Sequence, residues 1–96
     1  MIEQFDDGDA PFVRWLETNP NGFVANAQRT EGSSLFRIHR SDCRSLVRSH
    51  PAHRQDPYTG HEYIKICDNS LSDLKGWASQ NRPNAIPVSR CKTCNP

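Results

Sequence analysis

Four residues of this chain have both the side chains and the spacing of a metal site. His39 and Cys43 form an HxxxC motif, and Cys91 and Cys94 form a CxxC motif. Two thiols spaced as CxxC can hold one ion from a tight turn, and two residues four positions apart lie on one face of a helical turn. Three sulfurs and one imidazole nitrogen make a closed tetrahedral set that suits structural zinc. We therefore predict one zinc ion bound by His39, Cys43, Cys91 and Cys94.

Other roles for the cysteines stay open at this point. Cys67 would replace His39 in a four-thiolate site, although a cysteine at the end of an isoleucine-rich strand is more often a small core residue. His39 would then be an ordinary histidine at a strand end. Two disulfides would suit a secreted chain, and a redox-active CxxC usually stands where a strand leads into a helix. Among these interpretations we favour zinc, with Cys67 in the core.

The composition indicates one small folded domain. The chain has 96 residues, of which 34% are hydrophobic, and a chain of this length buries only about 60–65% of its unfolded surface. Metal binding would strengthen such a thin core. The first residues lack the basic and apolar regions of a signal peptide, and no apolar stretch approaches a membrane span. We expect a cytoplasmic protein with reduced thiols, no membrane partner and no evident small-molecule substrate.

Charge is spread unevenly along the chain. Residues 1–18 carry five acidic residues and one arginine, whereas residues 36–54 carry five arginines and one aspartate. Arg40, Arg44 and Arg48 recur at helical spacing, and with Arg54 they are candidate contacts for the phosphates of a nucleic acid. A solvated face that pairs with the acidic first residues is the simpler interpretation, which the pattern alone favours slightly.

The apolar pattern predicts an α+β fold, a small zinc-bound domain with a short antiparallel sheet and two main helices. Residues 1–9 are expected to be a flexible acidic arm, and residues 10–96 a single zinc-binding domain. The first helix has Asp9 as its cap and an apolar stripe that includes Phe12 and Trp15. The second is capped by Asn69 or Ser70 and carries Leu71, Leu74, Trp77 and Ala78. Strands are predicted over 22–28, 35–40 and 63–67, with a short one over 86–88; one or two helical turns are predicted over 42–48, and a polar loop over 49–60.

This order of elements and motifs resembles the zinc-binding domain at the N-terminus of the Ada DNA-repair protein. It is also similar to Ada-like modules that occur beside nuclease or other bacterial domains. The resemblance covers residues 22–96 and is carried by Val24 and Asn26, the two metal motifs, the 63–67 strand, the 70–80 helix and the final Asn95-Pro96. Two departures concern the site. The family's first ligand in Ada is a cysteine that accepts a methyl group, whereas this chain has His39, and the loop between the metal pairs is longer and contains Cys67.

These observations predict a non-enzymatic, zinc-stabilised binding module. Its expected partner is nucleic acid, in a role accessory to a DNA modification or defence system. The alternative is a structural or protein–protein interaction domain. An enzyme with a reactive thiol is a third class, and His39 at the acceptor position argues against it because an imidazole is a much poorer methyl acceptor than a zinc-activated thiolate.

Overall fold

The computed structural model describes residues 1–43, 59 and 62–96. In these residues the elements follow the chain as β1 (Glu3–Phe5), α1 (Asp9–Thr18), β2 (Phe23–Gln28), β3 (Phe36–Arg40), β4 (Tyr63–Asp68), α2 (Leu71–Asn81), a 3-10 helix (Pro83–Ala85) and β5 (Ser89–Arg90). One sheet and two main helices confirm the predicted α+β class. No helix within the described ranges is long and apolar enough to cross a membrane.

The five described strands form one mixed sheet in the order β1-β4-β2-β3-β5. β4 pairs antiparallel with β1 and β2, and β2 pairs antiparallel with β3, as expected for a short antiparallel sheet. β5 differs, because it pairs parallel with β3. The chain leaves β4, crosses the sheet through α2 and returns in the same direction, and such a helical crossover yields a parallel strand.

The two helices cover opposite faces of this sheet. Paired residues on neighbouring strands point to the same side, so one side presents Ala25, Ile38 and Ile66 to α2, where Leu74 and Ala78 are fully buried. The other side presents Val24 and Cys67 to α1. There they form a second cluster with Phe12, Trp15, Cys43 and Cys91. The metal-motif cysteines therefore belong to the α1 side.

The prediction of a flexible arm over residues 1–9 is wrong for its central part. Glu3–Phe5 forms β1, whose partners on β4 run from Cys67 to Lys65. The Phe5 ring packs against Phe12 with centroids 5.9 Å apart. The free edge of β4 supplies the hydrogen-bonding partner for this short strand, and that edge cannot be seen in the composition of an acidic segment.

The start of β5 differs from its prediction, and the cap of α2 is now identified. The strand expected over 86–88 is instead β5 at Ser89–Arg90, because Pro87 has no backbone N–H to donate to a ladder. Ser70, one of the two predicted caps, is the N-cap of α2, and its Oγ accepts a hydrogen bond from the Asp73 amide at 3.2 Å. The helical turns predicted over 42–48 and the 49–60 loop lie mostly outside the described residues.

Candidate metal centre

His39, Cys43, Cys91 and Cys94 converge on one point in the structure. One potential ligand atom from each lies within 4.8 Å of all the others. His39, Cys43 and Cys91 are buried, and Cys94 is half-buried. The four residues come from two segments 48 positions apart, so the fold has brought both motifs together. This group can hold a metal ion.

Local backbone structure aims each ligand at the centre. His39 lies on β3 opposite Val24, which places its ring on the α1 side of the sheet. The chain then turns, with the Cys43 amide donating to the Arg40 carbonyl at 3.0 Å. The Cys91 amide donates to the Ile38 carbonyl at 2.8 Å, which fixes the CxxC segment beside β3. A final turn closes where the Asn95 amide donates to the Cys91 carbonyl at 3.0 Å, and Asn95 adopts a positive φ of 48°.

The sulfur spacing fits a shared ion and not a disulfide. Cys43 Sγ and Cys91 Sγ are 3.7 Å apart, far beyond the S–S bond of about 2.05 Å, and all four cysteines of the chain are free thiols. A tetrahedral zinc ion with Zn–S distances of about 2.3 Å would hold two sulfurs about 3.8 Å apart. The observed separation matches that edge, so two disulfides are not the arrangement that the fold adopts.

Arg40 orders the CxxC turn from the end of β3. Its amide N–H donates to Cys94 Sγ at 3.2 Å, and its Nε donates to the Cys94 carbonyl at 3.1 Å. Its Nη2 lies 3.4 Å from the Asn95 carbonyl oxygen. An amide hydrogen bond stabilises a thiolate more than a thiol, so the Arg40 amide favours the form of Cys94 that binds metal.

The surroundings of His39 favour the neutral imidazole that metals require. Burial lowers the pKa of His39, and contact with Cys91 opposes that effect. Its Nδ1 is buried and has no hydrogen-bond partner among the described residues. A buried polar atom without a partner costs free energy. Neutral imidazole is a common metal ligand through either ring nitrogen, so a bound ion is compatible with this environment.

Cys94 is held as a thiol when no ion is present. Burial raises the pKa of Cys94 to about 11; the Arg40 amide opposes this, whereas contacts with Cys43 and Cys91 raise the pKa further. Clustered thiols resist ionisation together because each thiolate repels the next. A cation at the centre reverses this preference, because a coordinated thiol is deprotonated outright.

Cys67 lies apart from this group, as the core interpretation predicted. It is fully buried on β4 among Val24, Phe12 and Trp15 and is not one of the four converging residues. Burial also raises the pKa of Cys67, which disfavours the thiolate that a metal would need. The four-thiolate alternative has no support from this geometry.

The predicted phosphate contacts are only partly described. Arg40 is exposed, but its guanidinium also donates to the turn carbonyls described above. Arg44, Arg48 and Arg54 lie outside the described residues. The acidic first residues include β1 at one edge of the sheet, three strands away from β3. The predicted pairing with this segment is therefore not seen for Arg40, and for Arg44 and Arg48 it stays a prediction.

Sequence reasoning missed a second set of cations beside the centre. Arg37, Arg90 and Lys92 are exposed and line a groove that also contains His39 and Cys91. They lie on β3, on β5 and inside the CxxC motif, so no regular spacing connects them. The one sequence signal that pointed at any of them was the basic character of residues 36–54.

Comparison with known proteins adds no relative to these observations. No protein-family model, no curated protein and no solved structure matches this chain.

Proposed function

We propose that this chain is a zinc-stabilised, non-enzymatic binding module whose ligand is nucleic acid. The observation that carries the zinc assignment is the convergence of a buried imidazole and three thiols within 4.8 Å. Thiolate and imidazole ligands in a tetrahedral arrangement are typical of structural zinc. Four protein ligands fill a tetrahedral ion, so the proposed role is to hold the fold and not to activate water.

The proposed ion joins two parts of the chain that are otherwise held together by the short β3–β5 pairing and by hydrogen bonds from Arg40 and Cys91. One motif begins on β3 with His39, and the other follows β5, a strand of only two residues. Such a short strand has little stability of its own, so the metal would fix the last residues of the chain to the sheet. Metal binding then contributes directly to the free energy of folding.

The nucleic-acid part rests on positive charge around this centre. Arg37, Arg40, Arg90 and Lys92 are exposed near the ligands, with Asp42 as an acidic residue of the same region. Clustered cations on a rigid surface neutralise phosphates and release counterions. Arg44, Arg48 and Arg54 follow soon after Cys43 in the sequence, and this density of arginines is the reason for preferring nucleic acid over other anions.

Fluorescence anisotropy with labelled oligonucleotides tests this function. We expect binding at about 50 mM salt that weakens as salt increases, and Arg48→Gln should reduce the salt slope by about one. Arg14→Gln, on the exposed side of α1, is the matched control and should change neither affinity nor slope. Failure of every oligonucleotide to bind at high micromolar protein would refute the nucleic-acid role.

A protein partner is the second candidate, and one observation favours it. Ile86 is 46% exposed and lines a cleft of about 340 Å³ with Pro87 and Val88. Ile86→Glu should leave nucleic-acid binding intact. A reactive-thiol enzyme is the third class of function. Mass spectrometry after incubation with methylated DNA tests it, and a gain of one methyl group per chain would contradict the non-enzymatic proposal.

A further inference from the structure

A groove of about 750 Å³ opens beside the metal centre, on the half of the sheet face that lies towards β3 and β5. Its walls include the ligands His39 and Cys91 and the residues between the two CxxC cysteines. The volume falls within the usual range for ligand sites, about 300–1,000 Å³. Because His39 and Cys91 are proposed zinc ligands, a bound ion would make the wall that contains them rigid.

The floor of the groove is a polar row that crosses the sheet. Asn26 on β2 pairs with Lys65 on β4 and with Arg37 on β3, and Arg37 pairs with Ser89 on β5. Paired residues point to the same side, so these four side chains form one line. Apolar side chains are what a closed core would place there. A polar row is instead suited to hold a polar ligand.

Lys65 lies at the β4 end of this row and is not part of the groove lining. Its side chain is fully buried, and its Nζ donates to Asn26 Oδ1 at 2.6 Å. This bond engages the amide oxygen of Asn26, a residue that lines the groove, and so restrains its side chain. It also brings a positive charge close to the floor, since burial lowers the pKa of Lys65 only to about 8.

The described lining is positively charged and has no acidic residue. Arg37, Arg90 and Lys92 supply the cations, and the remaining residues are neutral or histidine. At the other end, the half-buried Tyr63 and Leu35 provide an aromatic and an apolar surface. A positive groove with an aromatic side chain is the arrangement that holds a phosphate and stacks on a base.

We propose that this groove binds one unpaired nucleotide, with its phosphate against Arg37 and Lys92 and its base against Tyr63 and Leu35. This inference rests on the proposed function and makes it more specific, because a base inside a duplex is not free to enter a groove. The nucleotide can belong to a single strand or be free in solution, and the two sources share the same chemistry.

Anisotropy and NMR titrations of the zinc-loaded chain distinguish these sources. The probes are a 12-nucleotide single-stranded DNA, the same sequence as a hairpin duplex, and free AMP. We expect the single strand to bind at least tenfold more tightly than the duplex, with amide shifts at Asn26, Arg37 and Thr93. If AMP binds alone and neither DNA does, the groove assignment stands for a free nucleotide and the nucleic-acid role fails.

Two variants and a control decide whether the groove is the site. Arg37→Gln should weaken single-strand binding about three- to tenfold and reduce the salt slope by about one. Tyr63→Leu should weaken it by a similar factor with an unchanged slope, because stacking carries no charge. Arg14→Gln should change neither, and zinc content and thermal melting confirm that each variant is folded.

Two results would overturn the groove proposal while leaving nucleic-acid binding intact. One is equal affinity for the single strand and the duplex. The other is single-strand binding that neither Arg37→Gln nor Tyr63→Leu alters in folded protein, which would place the contact elsewhere, for example on the arginines predicted at 44, 48 and 54. Absence of binding to all three probes would contradict both proposals together.

Discussion

His39 and Cys67 show how environment decides the role of a potential ligand. Both are buried and lie on the same side of the sheet, each opposite Val24. His39 stands on the side of Val24 towards the CxxC turn, whereas Cys67 stands on the side towards β1 and is enclosed by apolar side chains. Two strand spacings, about 10 Å, therefore separate the candidate metal ligand His39 from the core residue Cys67.

Substitution of these two residues should give opposite results. His39→Ala removes a proposed ligand and should lower zinc affinity strongly, with the metal measured by competition against a chromogenic chelator. Cys67→Ala should keep one zinc per chain and reduce stability by about 1–3 kcal/mol through lost packing. The reverse ranking would mean that Cys67 is the fourth ligand and that the observed convergence is not the metal site.

Lys65 should give the chain a measurable pH dependence. Burial lowers the pKa of Lys65 from 10.5 to about 8, so above pH 8 the folded chain binds fewer protons at this site than the unfolded chain. Native stability contributed by this residue therefore rises between about pH 8 and pH 10, by at most about 3 kcal/mol. Below pH 8 the buried charge is a cost that the folded state carries in full.

Urea unfolding of the wild type and of Lys65→Met over pH 7–10 measures this effect. The stability of the wild type relative to Lys65→Met should increase with pH, since only the wild type loses a buried charge. Both proteins contain the same four cysteines, so the thiol contribution to the pH dependence cancels in the difference between their stabilities. Lys75→Met, at an exposed position on α2, should run parallel to the wild type, and a parallel curve for Lys65→Met would show that Lys65 is not the source.

At the scale of elements, the predictable parts are those whose patterns are local. β2, β3 and β4 alternate or are rich in β-branched residues, and α2 has an apolar stripe after a Ser70 cap, so their positions follow from the sequence. β1 could not be predicted, because its three residues form a strand only where β4 offers a free edge. β5 begins after the predicted 86–88 segment, at Ser89, because Pro87 has no backbone N–H to donate to a neighbouring strand.

Contact between α1 and the turn before β2 depends on a residue without a side chain. A Cβ atom at Gly22 would lie 2.6 Å from Trp15 Cη2 and 2.9 Å from Asn69 Oδ1. Gly22→Ala should therefore destabilise the chain by about 1–3 kcal/mol through overpacking. Thermal unfolding checks this value, and an unchanged melting temperature would mean that α1 is not packed as described.

Gly76 provides the matched control for that substitution. It lies in α2, and a Cβ atom there would meet nothing within 4 Å beyond its chain neighbours and the backbone of its own helix. Gly76→Ala should raise stability by roughly 0.5–1 kcal/mol, because alanine restricts the unfolded chain and favours helix. The same change at two glycines should thus shift the melting temperature in opposite directions.

At the scale of the whole molecule, the candidate metal ligands were predictable and the groove was not. HxxxC and CxxC are local spacings, so each pair could be recognised before any tertiary contact was known. Asn26, Arg37 and Ser89 come from three strands, and they form a row only in the register that the sheet adopts. Sequence pattern alone does not specify which residues of distant strands become neighbours.

The whole account depends on the ion that the four ligands are proposed to share. A structural zinc contributes on the order of 10 kcal/mol in small domains, which is comparable to the entire stability of a chain of this size. Excess chelator should therefore unfold the chain at neutral pH, as measured by loss of the near-ultraviolet circular dichroism of Trp15 and Trp77. Cys94→Ser should have a similar effect without chelator.

Elemental analysis of the purified chain tests the central claim most directly. Inductively coupled plasma mass spectrometry, normalised to protein by amino-acid analysis, should find one zinc per chain in the wild type and in Cys67→Ala. Cys91→Ser and Cys94→Ser should lose it. Well under half an equivalent of zinc in folded wild-type protein would contradict the account, because His39, Cys43, Cys91 and Cys94 would then converge without an ion.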